Sequence, residues 1–108
     1  MGTSVPIFVS ILYYGWLFTF LQTEPYHEDL EQIEAEIAKD SPAAGVDMWL
    51  HVDGQVDKLS DPNFPRKIGR VEGTFELVAH PNYIVIIEED ETTVTVLNVN
   101  HARRQWPR

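Results

Sequence analysis

The sequence contains no cysteine and has little positive charge in its first half, and both absences restrict its chemistry. Without cysteine the chain forms no disulfide and offers no thiolate to a metal, a composition suited to the reducing cytoplasm where we expect it to act. It also has no glycine-rich phosphate loop, zinc-ligand spacing or nucleophile elbow. Asp47 and His51 lie four residues apart, which we interpret as a surface pair. We therefore predict no cofactor and no metal site.

The distribution of charge is more informative than its total. The 108 residues carry a net charge of −9, which disfavours binding to a phosphate backbone. Residues 1–54 contain one base against nine acids, whereas residues 55–108 contain seven bases against eight acids. Most of these bases form two clusters: Arg66, Lys67 and Arg70, then Arg103, Arg104 and Arg108. The asymmetry predicts an acidic flank and a basic face.

Residues 5–22 carry no charge, and their length would allow a helix to span a bilayer. No lysine or arginine precedes them, Pro6 and Gly15 interrupt them, and their branched and aromatic content favours strands. We predict one or two strands buried in the domain and no stable membrane association. A membrane anchor or targeting segment, and an extension from an alternative start, are the other interpretations.

Two amphipathic helices follow. Thr23 is a suitable N-cap, and apolar residues then recur at helical spacing: Tyr26, Leu30, Ile33 and Ile37. Ser41 and Pro42 begin a second helix that we expect to reach about residue 59. Its predicted inner side carries Val46, Trp49, Leu50, Val52 or Asp53, Val56 and Leu59.

The last third predicts three strands joined by two tight turns. Residues 70–79 alternate, which places Glu76 on the solvent side. Residues 83–87 are nearly all apolar, as in a central strand covered on both faces. Residues 92–99 form the third strand. The first and third strands of such a meander run parallel, so Arg70 and His101 are expected at opposite ends unless a loop or the tail folds back.

The same third of the chain resembles a known family. The matching runs are GRVEGT (69–74), ELV (76–78), HPNYIV (80–85), VL (96–97) and HARRQWP (101–107). With the helical segments 29–33 and 41–44, they resemble the RelE/ParE superfamily of toxins from type II toxin–antitoxin systems, over residues 17–107. The resemblance implies an α+β fold with an N-terminal strand at residues 17–23, an antiparallel helical hairpin and a three-stranded antiparallel meander packed on it. Residues 17–108 would form this single domain, and residues 1–16 would be an apolar extension that the family lacks.

The resemblance also implies a growth-arresting toxin that a cognate antitoxin neutralises, with oligomers formed through the antitoxin. RelE-like members cleave mRNA in the ribosomal A site, and ParE-like members inhibit DNA gyrase. We expect RelE-like mRNA cleavage first, with gyrase inhibition as the alternative and a catalytically degenerate antitoxin-binding module as the third reading.

A metal-independent ribonuclease needs a group that takes the 2′-hydroxyl proton and cations that stabilise the phosphorane. We predict His101 and Arg103 as catalytic residues, with Arg70 assisting. The predicted target-binding residues are Arg66, Lys67, Arg104 and Trp106. The alternative is that His101 is a polar strand end and the arginines are surface charges.

This sequence departs from the superfamily pattern where charge matters. Relatives often carry arginine at the positions of Phe75, Glu88 and Asn98. Ile84 stands where ribosome-dependent members tend to place a catalytic arginine, and Asn100 replaces a usual aliphatic residue.

Overall fold

The fold is one six-stranded sheet with two helices packed against one face. This computed structural model describes residues 7–13 and 16–103, and it describes side chains from residue 19 onward. The strands are β1 (Ile7–Tyr13), β2 (Trp16–Gln22), β3 (Lys67–Ile68), β4 (Thr74–His80), β5 (Tyr83–Glu89) and β6 (Thr93–His101). The helices are α1 (Glu24–Ala38) and α2 (Pro42–Asp57), the second followed by a 3₁₀ turn at Lys58–Ser60. The strand order is β1-β2-β6-β5-β4-β3, with β2 and β6 parallel and the other neighbours antiparallel. The predicted α+β architecture is confirmed.

The apolar N-terminal stretch forms a hairpin. All seven residues of β1 pair with β2, from Ile7 opposite Gln22 to Tyr13 opposite Trp16. This agrees with the prediction of strands, and β2 corresponds within one residue to the strand expected at 17–23. None of the described helices is long and apolar enough to cross a membrane.

Thr23 joins the start of α1 to the sheet rather than capping the helix with its side chain. Its hydroxyl donates to the carbonyl oxygens of Val96 (2.8 Å) and Leu97 (3.1 Å). Leu97 is the extra residue where the pairing of β5 with β6 shifts register, so its carbonyl is free to accept from the helix. Tyr26 and Leu30 then enter the core fully buried, as the stripe predicted.

The inner face predicted for α2 is wrong in its first half. Val46 and Leu50 are 46% and 57% exposed, whereas Val52 and Val56 are fully buried. The cause is the tight contact with α1 at Gly45, where a Cβ would lie 2.7 Å from the carbonyl oxygen of Glu34. Gly45 therefore faces α1, and the residue after it turns outward.

The core lies between the helices and the meander. Its sheet side chains come from three central strands and β2: Phe20, Leu77, Ala79, Val85, Ile87, Val94, Val96 and Val99. Ile84 and Ile86, whose side chains alternate to the opposite face, are also buried, so β5 is covered on both faces as predicted.

Two details of the meander differ from the sequence prediction. β4 begins at Thr74 rather than at residue 70, because residues before it form a turn in which Gly73 has φ +83°. Glu76 is only 1% exposed instead of facing solvent, and a short strand, β3, pairs beside it.

Candidate functional site

Arg66, predicted to bind the target, holds a loop onto the sheet. Its guanidinium donates to Glu89 Oε2 at 3.0 Å and to the carbonyl oxygens of Phe64 and Asp61, both at 2.9 Å. The side chain is 6% exposed, and that of Glu89 is 19% exposed. The guanidinium of Arg66 is therefore bonded to three groups of the same chain, and little of the side chain is exposed for contact with a target.

Arg70, predicted to assist catalysis, also pairs with an acid at this end of the sheet. Its backbone N–H donates to Glu76 Oε2 (2.9 Å), and its Nε lies 3.6 Å from Glu76 Oε1. Burying the carboxylate of Glu76 requires a nearby cation. Lys67, on β3 opposite Glu76, is exposed. We call Arg66, Arg70, Glu76 and Glu89 the paired end.

The opposite end of the sheet carries a line of four rings. The ring centroids lie 5.4 Å apart for His51 and His80, 5.9 Å for His80 and Tyr83, and 5.3 Å for Tyr83 and His101. The strand register explains three of them, because Tyr83 pairs with His80 on one side and with His101 on the other. We call these four residues the ring end.

Backbone hydrogen bonds orient the rings. His80 Nδ1 accepts from the N–H of Asn82 (3.0 Å), and His101 Nδ1 accepts from the N–H of Arg103 (3.1 Å). His51 Nε2 donates to the carbonyl oxygen of Ala79 (2.9 Å), the extra residue of a bulge in β4. Because a neutral imidazole has one N–H, accepting at Nδ1 places that proton on Nε2. Neutral His101 therefore presents a donor, whereas a general base needs a lone pair.

A groove of about 350 Å³ lies beside the ring end, between α1 and the sheet. Its lining residues are Asp29, Gln32, Ile33, Glu36, Tyr83, Val99 and His101. Asp29 Oδ2 accepts from the N–H of Val99 at 3.0 Å, which fixes the end of β6 against α1. Burial raises the pKa of the Tyr83 phenol, so the hydroxyl remains protonated near neutral pH. The acidic side chains of α1 that line this groove would repel a phosphate group.

The predicted site residues therefore separate into two groups. His101 and the exposed Arg103 lie together at the ring end, and Arg66, Lys67 and Arg70 lie toward the other end. Arg104 and Trp106 fall outside the described residues. Across residues 19–103, no three histidine or acidic side chains converge as metal ligands.

His80 and Tyr83 were not among the predicted site residues. A signal for them existed: HPNY forms a tight turn between two strands, so its first and last residues must lie at one end of the sheet. The contribution of His51 depends on how α2 packs, which the sequence does not show.

Comparison with known proteins identifies the family. Residues 21–106 match the family model described as the ParE toxin of type II toxin–antitoxin system, parDE. The chain belongs to the ParE toxin family. A relative from Sinorhizobium fredii (strain NBRC 101917 / NGR234), the candidate toxin Y4kP, is 33% identical over 78 residues, covering 72% of this chain and 81% of the relative.

Structural comparison agrees with that family fold. A solved structure of the chromosomal ParDE TA system from P. aeruginosa has a TM-score of 0.66 at 14% identity, covering 74% of this chain and 90% of the other. At this identity the likeness concerns the fold alone. The ParE match itself makes the chain a toxin of a type II toxin–antitoxin system within the RelE/ParE superfamily.

Proposed function

We infer that this ParE-family chain arrests growth by inhibiting DNA gyrase and is neutralised by a cognate antitoxin. The observation that carries the inference is the separation of two predicted catalytic residues: Arg70 pairs with Glu76, while His101 lies beyond Tyr83 at the other end of the sheet. RNA cleavage without metal needs a proton acceptor and cations around one phosphate. Inhibition of a protein target does not need that convergence.

The chemistry of His101 supports the same reading. The hydrogen bond from the N–H of Arg103 to Nδ1 leaves Nε2 as a donor in the neutral ring. The adjacent groove contributes Asp29 and Glu36, whose negative charges repel RNA phosphates. On the face opposite the helices, Ile84 and Asn98 stand where a ribosome-dependent enzyme would benefit from arginine.

The ring end and the adjoining tail are the surface that we assign to target contact. His101 is half-buried, Arg103 is exposed, and Arg104 and Trp106 follow directly in sequence. This keeps the predicted target binding for Arg104 and Trp106, changes the role of His101 and Arg103 from catalysis to target contact, and gives Arg66 and Arg70 a structural role instead.

The test combines two assays on the same purified chain. We expect it to reduce DNA supercoiling by gyrase and to accumulate cleaved DNA, while mRNA in a translating ribosome system stays intact. Arg103→Ala should weaken gyrase inhibition, and Lys67→Ala, a comparably exposed cation toward the other end, should not. Cleavage of mRNA at A-site codons with unaffected gyrase would overturn the inference in favour of the RelE-like activity.

A further inference from the structure

The two edges of the sheet differ in length and charge. One edge is β3, which has two residues, carries Lys67 and covers only Phe75 and Glu76 of β4. The other edge is β1, which has seven residues and no charged one. Proteins protect edge strands from pairing by keeping them short, by placing lysine on them and by bulges. The β3 edge has the first two features, and β1 has neither.

The outer side of β1 has no strand beside it in the described part of the chain. Its inner side is paired without interruption along all seven residues, with no register shift. A regular strand paired on one side presents an evenly spaced row of N–H and C=O groups on the other. Water can solvate such a row, but among protein segments only another extended strand can pair with it along its whole length.

We propose that β1 pairs antiparallel with β1 of a second copy of this chain, about a two-fold axis at Ser10. An antiparallel pair of identical strands is self-complementary, so one surface supplies both halves of the interface. Centring the pair on Ser10 overlaps all seven residues. It places Phe8 opposite Leu12 and Val9 opposite Ile11, and Phe, Val and Ile are residues that favour strands.

Charge also favours a second copy at this edge. Two chains of net charge −9 repel each other through most surfaces. The first charged residue of the sequence is Glu24, in α1, so the β1–β2 hairpin is the neutral part of the molecule. Pairing through β1 brings the two copies together where that repulsion is weakest. The hairpin lies almost wholly before residue 21, where the ParE match begins, so the proposed association uses a part of the chain that this match hardly covers.

The test measures the mass of the full chain in solution. An interface built on one strand pair is small, and we expect an equilibrium in the micromolar range. Sedimentation velocity and light scattering should show the mass rising with concentration from one chain of 12.4 kDa toward two. A wild-type chain that stays monomeric throughout this range would overturn the proposal.

Charge substitution at the two-fold axis tests the register. Ser10→Lys places two like charges directly opposite each other, and so does Ser10→Asp, so each variant alone should be monomeric. Mixing the two should restore the dimer, because the opposed charges then attract. Ile68→Lys, on the β3 edge, is the matched control and should leave the dimer unchanged. Circular dichroism spectra that match the wild type show that each variant is folded.

Other outcomes contradict the proposal. Failure of the mixed variants to associate excludes pairing about Ser10. Loss of the dimer only in Ile68→Lys would show that the copies associate through the β3 edge instead. If Ser10→Lys abolishes binding of the antitoxin rather than self-association, the edge belongs to the antitoxin. If the wild type partitions into phosphatidylcholine vesicles and is monomeric in detergent, the apolar hairpin serves a membrane surface.

Discussion

The two ends of the sheet use their polar side chains in different ways. At the paired end, the guanidinium groups of Arg66 and Arg70 contact buried or half-buried carboxylates and loop carbonyls. At the ring end, His80 and His101 are oriented by the backbone through Nδ1. Arginines close together in sequence thus pair within the fold, while histidines far apart in sequence come together with Tyr83 in one line of rings. Charge density alone would have directed attention to the end whose arginines already pair with acids of the fold.

Arg66→Ala should produce the largest loss of stability. It removes three interactions and leaves Glu89 partly buried without its cation, at a cost of about 2–4 kcal/mol in the free energy of unfolding. Lys67→Ala, the adjacent exposed cation, should change it by less than about 0.5 kcal/mol. Urea unfolding of both variants measures the difference. Equal effects would show that the paired end does not stabilise the fold.

Arg70→Ala should cost less, about 1–2 kcal/mol, because its side chain is 45% exposed and solvent screens the pair. The loss arises mainly from leaving the buried carboxylate of Glu76 without the cation that contacts it. In a Glu76→Gln background the same substitution should therefore have almost no effect, which a double-mutant cycle measures. A cost that is the same in both backgrounds would mean that Arg70 acts through something other than Glu76.

At the ring end, His80→Ala should cost about 0.5–1 kcal/mol, the contribution of one neutral hydrogen bond from the N–H of Asn82. His80→Asn should retain most of that stability, because an asparagine carbonyl can accept from the N–H two residues on. Thermal unfolding compares the two variants. Nitrogen-15 spectra of the wild type should also show neutral His80 and His101 with the proton on Nε2; a proton on Nδ1 would contradict the hydrogen bonds assigned here.

Periodicity and turn chemistry predicted most of this architecture. The stripe beginning at Tyr26, the apolar run at residues 83–87 and the Pro81-Asn82 turn each appear where expected, because each depends on local sequence. The two wrong predictions concern residues whose burial depends on long-range packing. The close approach of α1 at Gly45 turned Val46 outward, and a cation from outside the strand allowed Glu76 to be buried.

The candidate site was less predictable than the fold, for a related reason. Strand parity correctly separated Arg70 from His101, but it could not show that His51 reaches His80 from α2. The division of the chain at residue 16 and the individual catalytic roles stay predictions. The catalytic roles depend on how the chain contacts its target.

The smallest predicted effect concerns the turn between β5 and β6 at the paired end. Asp90 is exposed, and its Oδ1 accepts from the N–H groups of Thr92 and Thr93, both at 2.9 Å, and from the Thr92 hydroxyl. These bonds, the one from the Thr92 N–H first, lower the pKa of Asp90 below its ordinary value of 3.8. A carboxyl whose pKa is lowered on folding stabilises the turn above its unfolded pKa, and the contribution is lost as the pH falls through the folded pKa.

We therefore expect the amide signals of Thr92 and Thr93 to move only below the ordinary carboxyl range, in an NMR titration from neutral to acid pH. Asp90→Asn should remove that step and leave the turn intact, because the asparagine carbonyl can accept the same bonds. The amide signals of Asn82 and Arg103, which donate to imidazoles at the ring end, should not share the Asp90 step. If those two amides moved together with Thr92 and Thr93, the step would not report the Asp90 carboxyl, and the contrast between the two ends would not hold.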